Sequence, residues 1–251
     1  MLKIIISGCS GHMGRVVDGL CAADPEIEIV AGFDVMASGD RPYPVYASPS
    51  QFTGKADAVI DFSSPAALDG LLKFSGDTGT PLVLATTGYS ADQQAQIGAA
   101  ALKSPIFRSG NMSLGINVML ELVKKAASVL GDTADIEIVE RHHNRKVDAP
   151  SGTALMIADA ASSALDHETE YVYDRHSVRK AREKKEIGIS AIRGGTIVGE
   201  HEIIFAGHDE IIEIRHTALS REIFAQGAVQ AAKAMARVEK PGLYDMSLLV
   251  H

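Results

Sequence analysis

Cysteine is scarce in this chain of 251 residues: Cys9 and Cys21 are the only two, and Cys9 sits inside a glycine-rich loop. That excludes a disulfide framework and points to reduced thiols in a cytoplasmic setting. Long hydrophobic runs are also missing. The opening MLKIIISGCSG stops being apolar at Gly8, too short for the core of a signal peptide or for a membrane span. Positive charge is in the minority, 24 Lys and Arg against 32 Asp and Glu, so no general attraction to nucleic acid or anionic membrane is expected. Any anion site must therefore be local. Neither an internal repeat nor a low-complexity linker interrupts the chain. What is plentiful is apolar residue, at 46%, enough for a packed core without staples.

Short aliphatic runs at residues 3–7, 27–33, 58–62, 82–85 and 106–107 read as strands, with helical patterns at 13–23, 65–74 and 91–102 among them. Continuous apolar strands alternating with helices predict a Rossmann-like, doubly wound parallel sheet covered on both faces. Past residue 111 the rhythm changes. A long amphipathic helix is expected at 115–130, a strand at 135–140 and a helix at 152–165. Three strand-like stretches follow without intervening helices, at 186–193, 197–205 and 210–217, and read as an antiparallel meander. A final Ala-rich helix spans 221–237. The expected architecture is α/β: a dinucleotide-binding domain of residues 1–112 and 221–251, and a smaller α+β substrate-binding and oligomerisation domain of residues 113–220. The sheet of the second domain is expected to be mixed and largely antiparallel, with hinges near 112–113 and 220–221.

The stretch GCSGHMGR spaces glycines at Gly8, Gly11 and Gly14, directly after a strand and directly before a helix. Glycine permits the sharp turn and lets backbone N–H groups and the helix N-terminus come close to a pyrophosphate. Asp34 ends the second strand 20 residues beyond Gly14, where a carboxylate accepts hydrogen bonds from the adenine-ribose hydroxyls of NAD. Binding the 2′-phosphate of NADP would want a guanidinium just after that acid. Here Val35 and Met36 follow, and Arg41 is the nearest later candidate, so NADH is expected to be preferred with NADPH possible. Two more loops fall at the carboxyl ends of strands: Ala85, Thr86, Thr87 and Gly88, then Ser109, Gly110, Asn111 and Met112. Their small and hydroxylated residues suit the nicotinamide ribose and ring.

The stretch ERHHNRKVDAPSGTALMIAD concentrates cationic and titratable groups in an otherwise acidic protein. Ser151, Gly152 and Thr153 stand at the cap and first turn of a helix, where orphan N–H groups can take a carboxylate. His142, His143 and Lys146 arrive from the preceding strand and loop with charge and proton-transfer capacity. Asp148 can pair with Lys146 or Arg145. Adjacent histidines point to opposite sides of a strand and the cysteines lie far away, which argues against zinc. Ser151 lacks the G-x-S-x-G context of a hydrolase nucleophile. These residues by themselves suggest a nicotinamide-dependent enzyme acting on an anionic, dicarboxylate substrate.

Taken in order, GCSGHMGR, ATTG, SGNMSLGIN, ERHHNRKVDAPSGTA and IRGGTIVGEHEIIFAG span nearly the whole chain and resemble the 4-hydroxy-tetrahydrodipicolinate reductase family, formerly called dihydrodipicolinate reductase. The resemblance implies an NAD(P)H-dependent reduction of a cyclic imine dicarboxylate to tetrahydrodipicolinate in diaminopimelate and lysine biosynthesis. It implies His142 as proton donor or acceptor, Lys146 as a second catalytic group, and substrate contacts at His143, Gly152 and Thr153. Cofactor contacts are implied at Gly8, Cys9, Ser10, Gly11, His12 and Met13, at Asp34, at Ala85, Thr86 and Thr87, and at Ser109, Gly110, Asn111 and Met112. It further implies a homotetramer, no metal, and a last helix belonging to the first domain. Many members carry an arginine where this chain has Val35, which strengthens the expectation of NADH. Two other readings fit the architecture: a dehydrogenase of an acyclic amino dicarboxylate such as aspartate, and a dinucleotide sensor without turnover. The gapless His-His-x-x-Lys and Pro-Ser-Gly-Thr signature argues against the first; the intact His142, His143 and Lys146, and the lack of a DNA-binding helix-turn-helix or basic arm, argue against the second.

Overall fold

The structure is a computed structural model and describes residues 1–36 and 41–250. The chain divides into two compact units, Met1–Leu114 with Glu222–His251, and Gly115–Arg221. It begins with β1 (Leu2–Ser7), α1 (His12–Ala23), β2 (Ile27–Phe33) and a two-residue β3 (Val45–Tyr46). Then come β4 (Ala58–Asp61), α2 (Leu68–Thr78), β5 (Leu82–Leu84), α3 (Ala91–Ala101) and β6 (Pro105–Arg108). The second unit supplies α4 (Leu114–Leu130), β7 (Asp135–His142), α5 (Gly152–Ser162), β8 (Glu170–Val172), β9 (Glu186–Arg193), β10 (Gly199–Ala206) and β11 (Ile211–Ala218). The chain then returns to the first unit with α6 (Glu222–Met235), β12 (Gly242–Tyr244) and α7 (Ser247–Val250).

In the first unit the strands form one sheet in the order β12-β6-β5-β4-β1-β2-β3, every pairing parallel. Alternation within the strands divides its residues between two cores. Ile4 and Ile6 of β1 face α1 and α6, packing with Val17, Cys21, Ala225, Ala228 and Met235. Ile5 faces the other way, with Leu68, Leu71 and Phe74 of α2 and Ile97 of α3. Helices on both faces explain why the central strands are apolar throughout. The short edge strands β3 and β12 carry too few residues to register as strands in the sequence. Among the described residues no helix is long and apolar enough to cross a membrane.

The second unit holds a five-stranded sheet in the order β11-β10-β7-β9-β8. Here the meander expected of the last three strands is corrected. β10 and β11 do form an antiparallel hairpin, but β9 is not beside β10. β7 lies between them, antiparallel to β10 and parallel to β9, and β8 is parallel to β9. One face is apolar: Ile136, Ile138, Ile187, Ile189, Ile203 and Phe205 pack on Ile116, Met119 and Val123 of α4 and on Ala154, Ile157 and Ala158 of α5. The other face carries ion pairs, with Arg141 reaching Glu202 at 3.2 Å and Glu200 at 3.5 Å. Along β10 the alternation puts Ile203 and Phe205 in the core, whereas Ile204 between them is intermediate on the other face.

Candidate active site

In the first unit the carboxyl ends of the parallel strands lie along one edge of the sheet and present their loops there. The glycine loop leaves β1 with Gly8 at φ +76°, a conformation that favours glycine, and a Cβ there would come within 2.7 Å of the Phe62 carbonyl oxygen. A Cβ at Gly14 would stand 2.1 Å from the Gly8 oxygen, so α1 can approach the loop this closely only without a side chain at that position. Asp34 lies across the loop. Its carboxylate accepts from the Ser10 N–H at 2.8 Å and from the Met36 N–H at 2.8 Å.

Beside these groups lies a cavity of about 460 Å³, lined by Gly8, Ser10, Gly11 and Asp34 from the expected set. Phe62, Ser63, Ser64, Ala67 and Leu71 close its other side, together with Val35, Met36, Ala47 and Pro49. The loop after β4 was legible as a strand end, DFSSP, yet nothing in its composition marks it as a wall. The Ser10 hydroxyl is buried without a hydrogen-bond partner, as is that of Thr86. A cleft of this size beside a glycine loop that opens a helix, with a carboxylate across the loop, fits a dinucleotide.

Not every expected cofactor residue reaches that cavity. Cys9 is fully buried in the core beneath the loop, Met112 is buried in the same core, and Met13 and Ala85 pack against it. His12 is exposed. Ser109 and Asn111 shape the loop after β6, the Ser109 hydroxyl donating to the Asn111 carbonyl at 2.9 Å and the Asn111 side chain accepting from the Ser113 N–H at 2.8 Å. Thr87 and Gly110 are exposed beside them. Arg41 turns away from Asp34: it pairs with Asp18 and donates to the Tyr43 hydroxyl and the Cys9 carbonyl, each at 2.7 Å.

In the second unit, β7 runs on to His142, and its alternation puts Glu140 and His142 on the same buried face as Ile136 and Ile138. The two side chains meet there, His142 Nδ1 lying 2.6 Å from Glu140 Oε2. Glu140 is wholly buried, and Arg193 at the end of β9 grips both of its oxygens at 2.7 Å. The Ser151 N–H donates to the same carboxylate at 3.0 Å. Burial alone would push the Glu140 carboxyl up, but the Arg193 fork, His142 and the Ser151 amide outweigh it and hold the group below the usual carboxylate range.

Across the ladder, His201 of β10 pairs with Glu140, and its Nε2 lies 2.9 Å from the Ser151 hydroxyl. The His142 and His201 rings meet edge to face at 5.1 Å. Gly199 leaves room for the His142 ring, since a Cβ there would stand 3.1 Å from Nε2.

Ser151 caps α5, its hydroxyl accepting from the Ala154 N–H at 3.1 Å. With its amide on Glu140 and its hydroxyl on His201, Ser151 is turned inward, only 2% exposed, whereas Gly152 lies exposed at the first turn with Thr153 beside it. Lys146 Nζ lies 2.9 Å from Asp148 Oδ1, which decides between the two partners considered for Asp148. His143 lies past the strand with Nε2 3.1 Å from Arg221 Nη2; burial first, then the charges of Arg221 and Arg145, push its pKa down. Glu140, Arg193 and His201 had no assigned role in the sequence reading. The signal was present in the two-residue step from Glu140 to His142, and in IRGG and VGEH.

Burial, with His142 second, pushes His201 down to about 4 from 6.5. The unfolded chain takes up a proton on this ring near 6.5, the folded chain only near 4. Stability is therefore expected to fall on acidification through that window, by about 3 kcal/mol for this ring. Urea unfolding at both ends of the window measures the drop. In His201→Gln it should shrink, leaving the contributions of His143, His216 and Glu140, all also shifted down; an unchanged drop would remove His201 as its source.

Two family models cover almost the whole chain: dihydrodipicolinate reductase, N-terminus, over residues 2–112, and dihydrodipicolinate reductase, C-terminus, over residues 115–250. A 4-hydroxy-tetrahydrodipicolinate reductase from Caldanaerobacter subterraneus subsp. tengcongensis is 52% identical over 250 residues, covering 100% of this chain and 98% of the relative. One from Clostridium perfringens is 48% identical, covering 98% and 97%. Among solved structures, a dipicolinate-bound dihydrodipicolinate reductase from Paenisporosarcina sp. TG-14 matches with a TM-score of 0.82 over the full length of both chains at 22% identity, a likeness of fold.

Proposed function

From a chain that belongs to the dihydrodipicolinate reductase family, we infer an enzyme that reduces 4-hydroxy-tetrahydrodipicolinate to tetrahydrodipicolinate in diaminopimelate and lysine biosynthesis, using a reduced nicotinamide dinucleotide. The strongest support is the agreement between near-complete relatives of that name and the buried Glu140–His142 pair that closes the His-His-x-x-Lys motif.

Gly8, Ser10, Gly11 and Asp34 would hold the dinucleotide, with the loops at Ala85–Thr87 and Ser109–Met112 completing its surround. When bound, the nicotinamide supplies a hydride from C4. Gly152, exposed at the first turn, and Thr153 beside it suit a carboxylate at the positive end of α5. Lys146 carries the charge that balances electron density developing on the conjugated ring, or donates the proton that neutralises it. His142 exchanges that proton with solvent, and His143 adds a polar contact to the dicarboxylate.

NADH is the preferred reductant in this reading. Asp34 would repel a 2′-phosphate, the side chains that follow it are the exposed and uncharged Val35 and Met36, and Arg41 is committed to Asp18. The expected outcome is a kcat/KM at least about tenfold higher for NADH, equivalent to about 1.4 kcal/mol of discrimination. Loss of reduced-nicotinamide absorbance measures it, with the cyclic substrate generated in place from pyruvate and aspartate semialdehyde. Equal use of NADPH would sink the preference; turnover of aspartate alone would move the substrate to an acyclic amino dicarboxylate. A homotetramer and a cytoplasmic location belong to the same reading. Ile211 and Ile212 on the edge strand β11, 63% and 40% exposed, suit a subunit contact that light scattering can count.

A further inference from the structure

We propose that Glu140 and Arg193 act as a positioning pair, in which one buried carboxylate, locked by a guanidinium, fixes both the tautomer of His142 and the start of α5. The inference deepens the reductase reading and rests on it only for its kinetic arm.

The geometry gives the pair two outputs. Glu140 Oε2 faces His142 Nδ1, and Glu140 Oε1 takes the Ser151 N–H. An ionised carboxylate has no proton to give, so the hydrogen at 2.6 Å must sit on Nδ1. Nε2 is then the nitrogen left free to accept and return a proton. That atom lies on the side of the ring where Gly199 has no side chain. The second output holds Ser151, and with it the N-terminus whose Gly152 and Thr153 amides take the substrate carboxylate. One rigid group therefore sets the proton-transfer atom and the anion site together.

Arg193 makes the carboxylate rigid. Two parallel bonds at 2.7 Å leave Glu140 no freedom to rotate, and Arg193 Nη2 is itself tied to the Asp148 carbonyl at 2.6 Å. That last bond joins the pair to the loop carrying Lys146, whose ammonium lies 2.9 Å from the Asp148 side chain. β9 enters this arrangement because it lies parallel beside β7, with Arg193 opposite His142 in the register. Neither Glu140 nor Arg193 need touch substrate to act in this way. A lysine at 193 would supply charge but not the fork.

The test uses full-length protein labelled with nitrogen-15 in its histidines, with Glu140→Gln, Arg193→Lys and Arg193→Ala as variants. In the parent protein the His142 ring should report a protonated Nδ1 and a bare Nε2. In Glu140→Gln, whose amide can offer either an oxygen or an N–H to the ring, that signature should become mixed. kcat should fall roughly ten- to hundredfold while the Kd for NADH stays constant, since the dinucleotide residues lie in the other unit. Arg193→Lys should lose activity as well, and added guanidinium should restore part of the activity of Arg193→Ala. A pair that merely braces the sheet would lower Tm while leaving the tautomer and kcat intact, and that result overturns the proposal. So does a parent protein with its proton on Nε2. If the parent protein turns over no cyclic imine, the reductase reading fails, yet the tautomer measurements still decide the role of the pair. Should Glu140→Gln not fold, Arg193→Lys and the guanidinium rescue carry the decision.

Discussion

Lys146→Ala should lower kcat by about a hundredfold or more, the usual cost of losing an acid–base or charge-stabilising group at a reacting centre. The expectation comes from placement. The Lys146 side chain is 22% exposed in the loop that follows His142 and His143, and it forms an ion pair with Asp148, itself 58% exposed. Such a pair contributes about 1 kcal/mol or less to stability, so the folded protein should scarcely register the change. Activity and stability are thus expected to separate: a large drop in kcat, a nearly constant Tm, and an unchanged Kd for NADH. Lys146→Arg keeps the charge but spreads it over a planar fork and gives up the transferable proton, so it should restore only part of the rate. Steady-state kinetics on the cyclic substrate, paired with thermal melts, check both variants. A near-normal kcat in Lys146→Ala would exclude the residue from the chemistry.

Gly14→Ala should cost at least about tenfold in NADH affinity, or 1.4 kcal/mol, and lower Tm as well. The added Cβ would stand 2.1 Å from the Gly8 carbonyl oxygen and 2.8 Å from Cys9 Cα. Both neighbours are backbone, so the conflict cannot be relieved by a rotamer, and α1 must move off the glycine loop proposed to hold the dinucleotide. Gly19→Ala is the internal control. It lies in the same helix with nothing within 4 Å of its added Cβ, so the higher helix propensity of alanine should leave affinity unchanged and raise stability by up to about 1 kcal/mol. Calorimetric titration with NADH reads both; equal affinities in the two variants would remove the close packing at Gly14 as a requirement for binding.

The first unit could be read far into its sequence because β1, β4 and β5 are local βα repeats: each of these apolar runs is followed by its own helix, α1, α2 and α3, and the loops after the parallel strands fall on the same edge. Asp34 needed only the spacing from Gly14 to be found. The second unit hides its order because β9 pairs with β7, some fifty residues earlier, and no turn residue announces a parallel neighbour. Three consecutive strands without helices resemble a meander whatever lies between them in space. The same hidden pairing concealed Arg193, which reaches Glu140 only because of that register. By contrast Glu140 and His142 are only two apart, and because β7 runs on to His142 rather than ending at Glu140 as expected, period-two alternation puts both on one face. His201 needed the β10 to β7 register as well.

The return of α6 to the first unit has a consequence for how the protein is made. Val17 and Cys21 of α1 share a core with Ala225, Ala228 and Met235, and Lys233 reaches back to Asp24 at 2.7 Å. During synthesis these apolar residues of α1 leave the ribosome about two hundred residues before their partners. The unit of residues 115–221 has all of its own chain available first and can fold while the earlier segment still waits. The nascent chain would in that interval expose the apolar face that α6 later covers, a surface suited to holdase chaperones. A ribosome stalled before residue 222 would release a polypeptide with a folded second half and an unfinished first, a natural substrate for quality-control proteolysis.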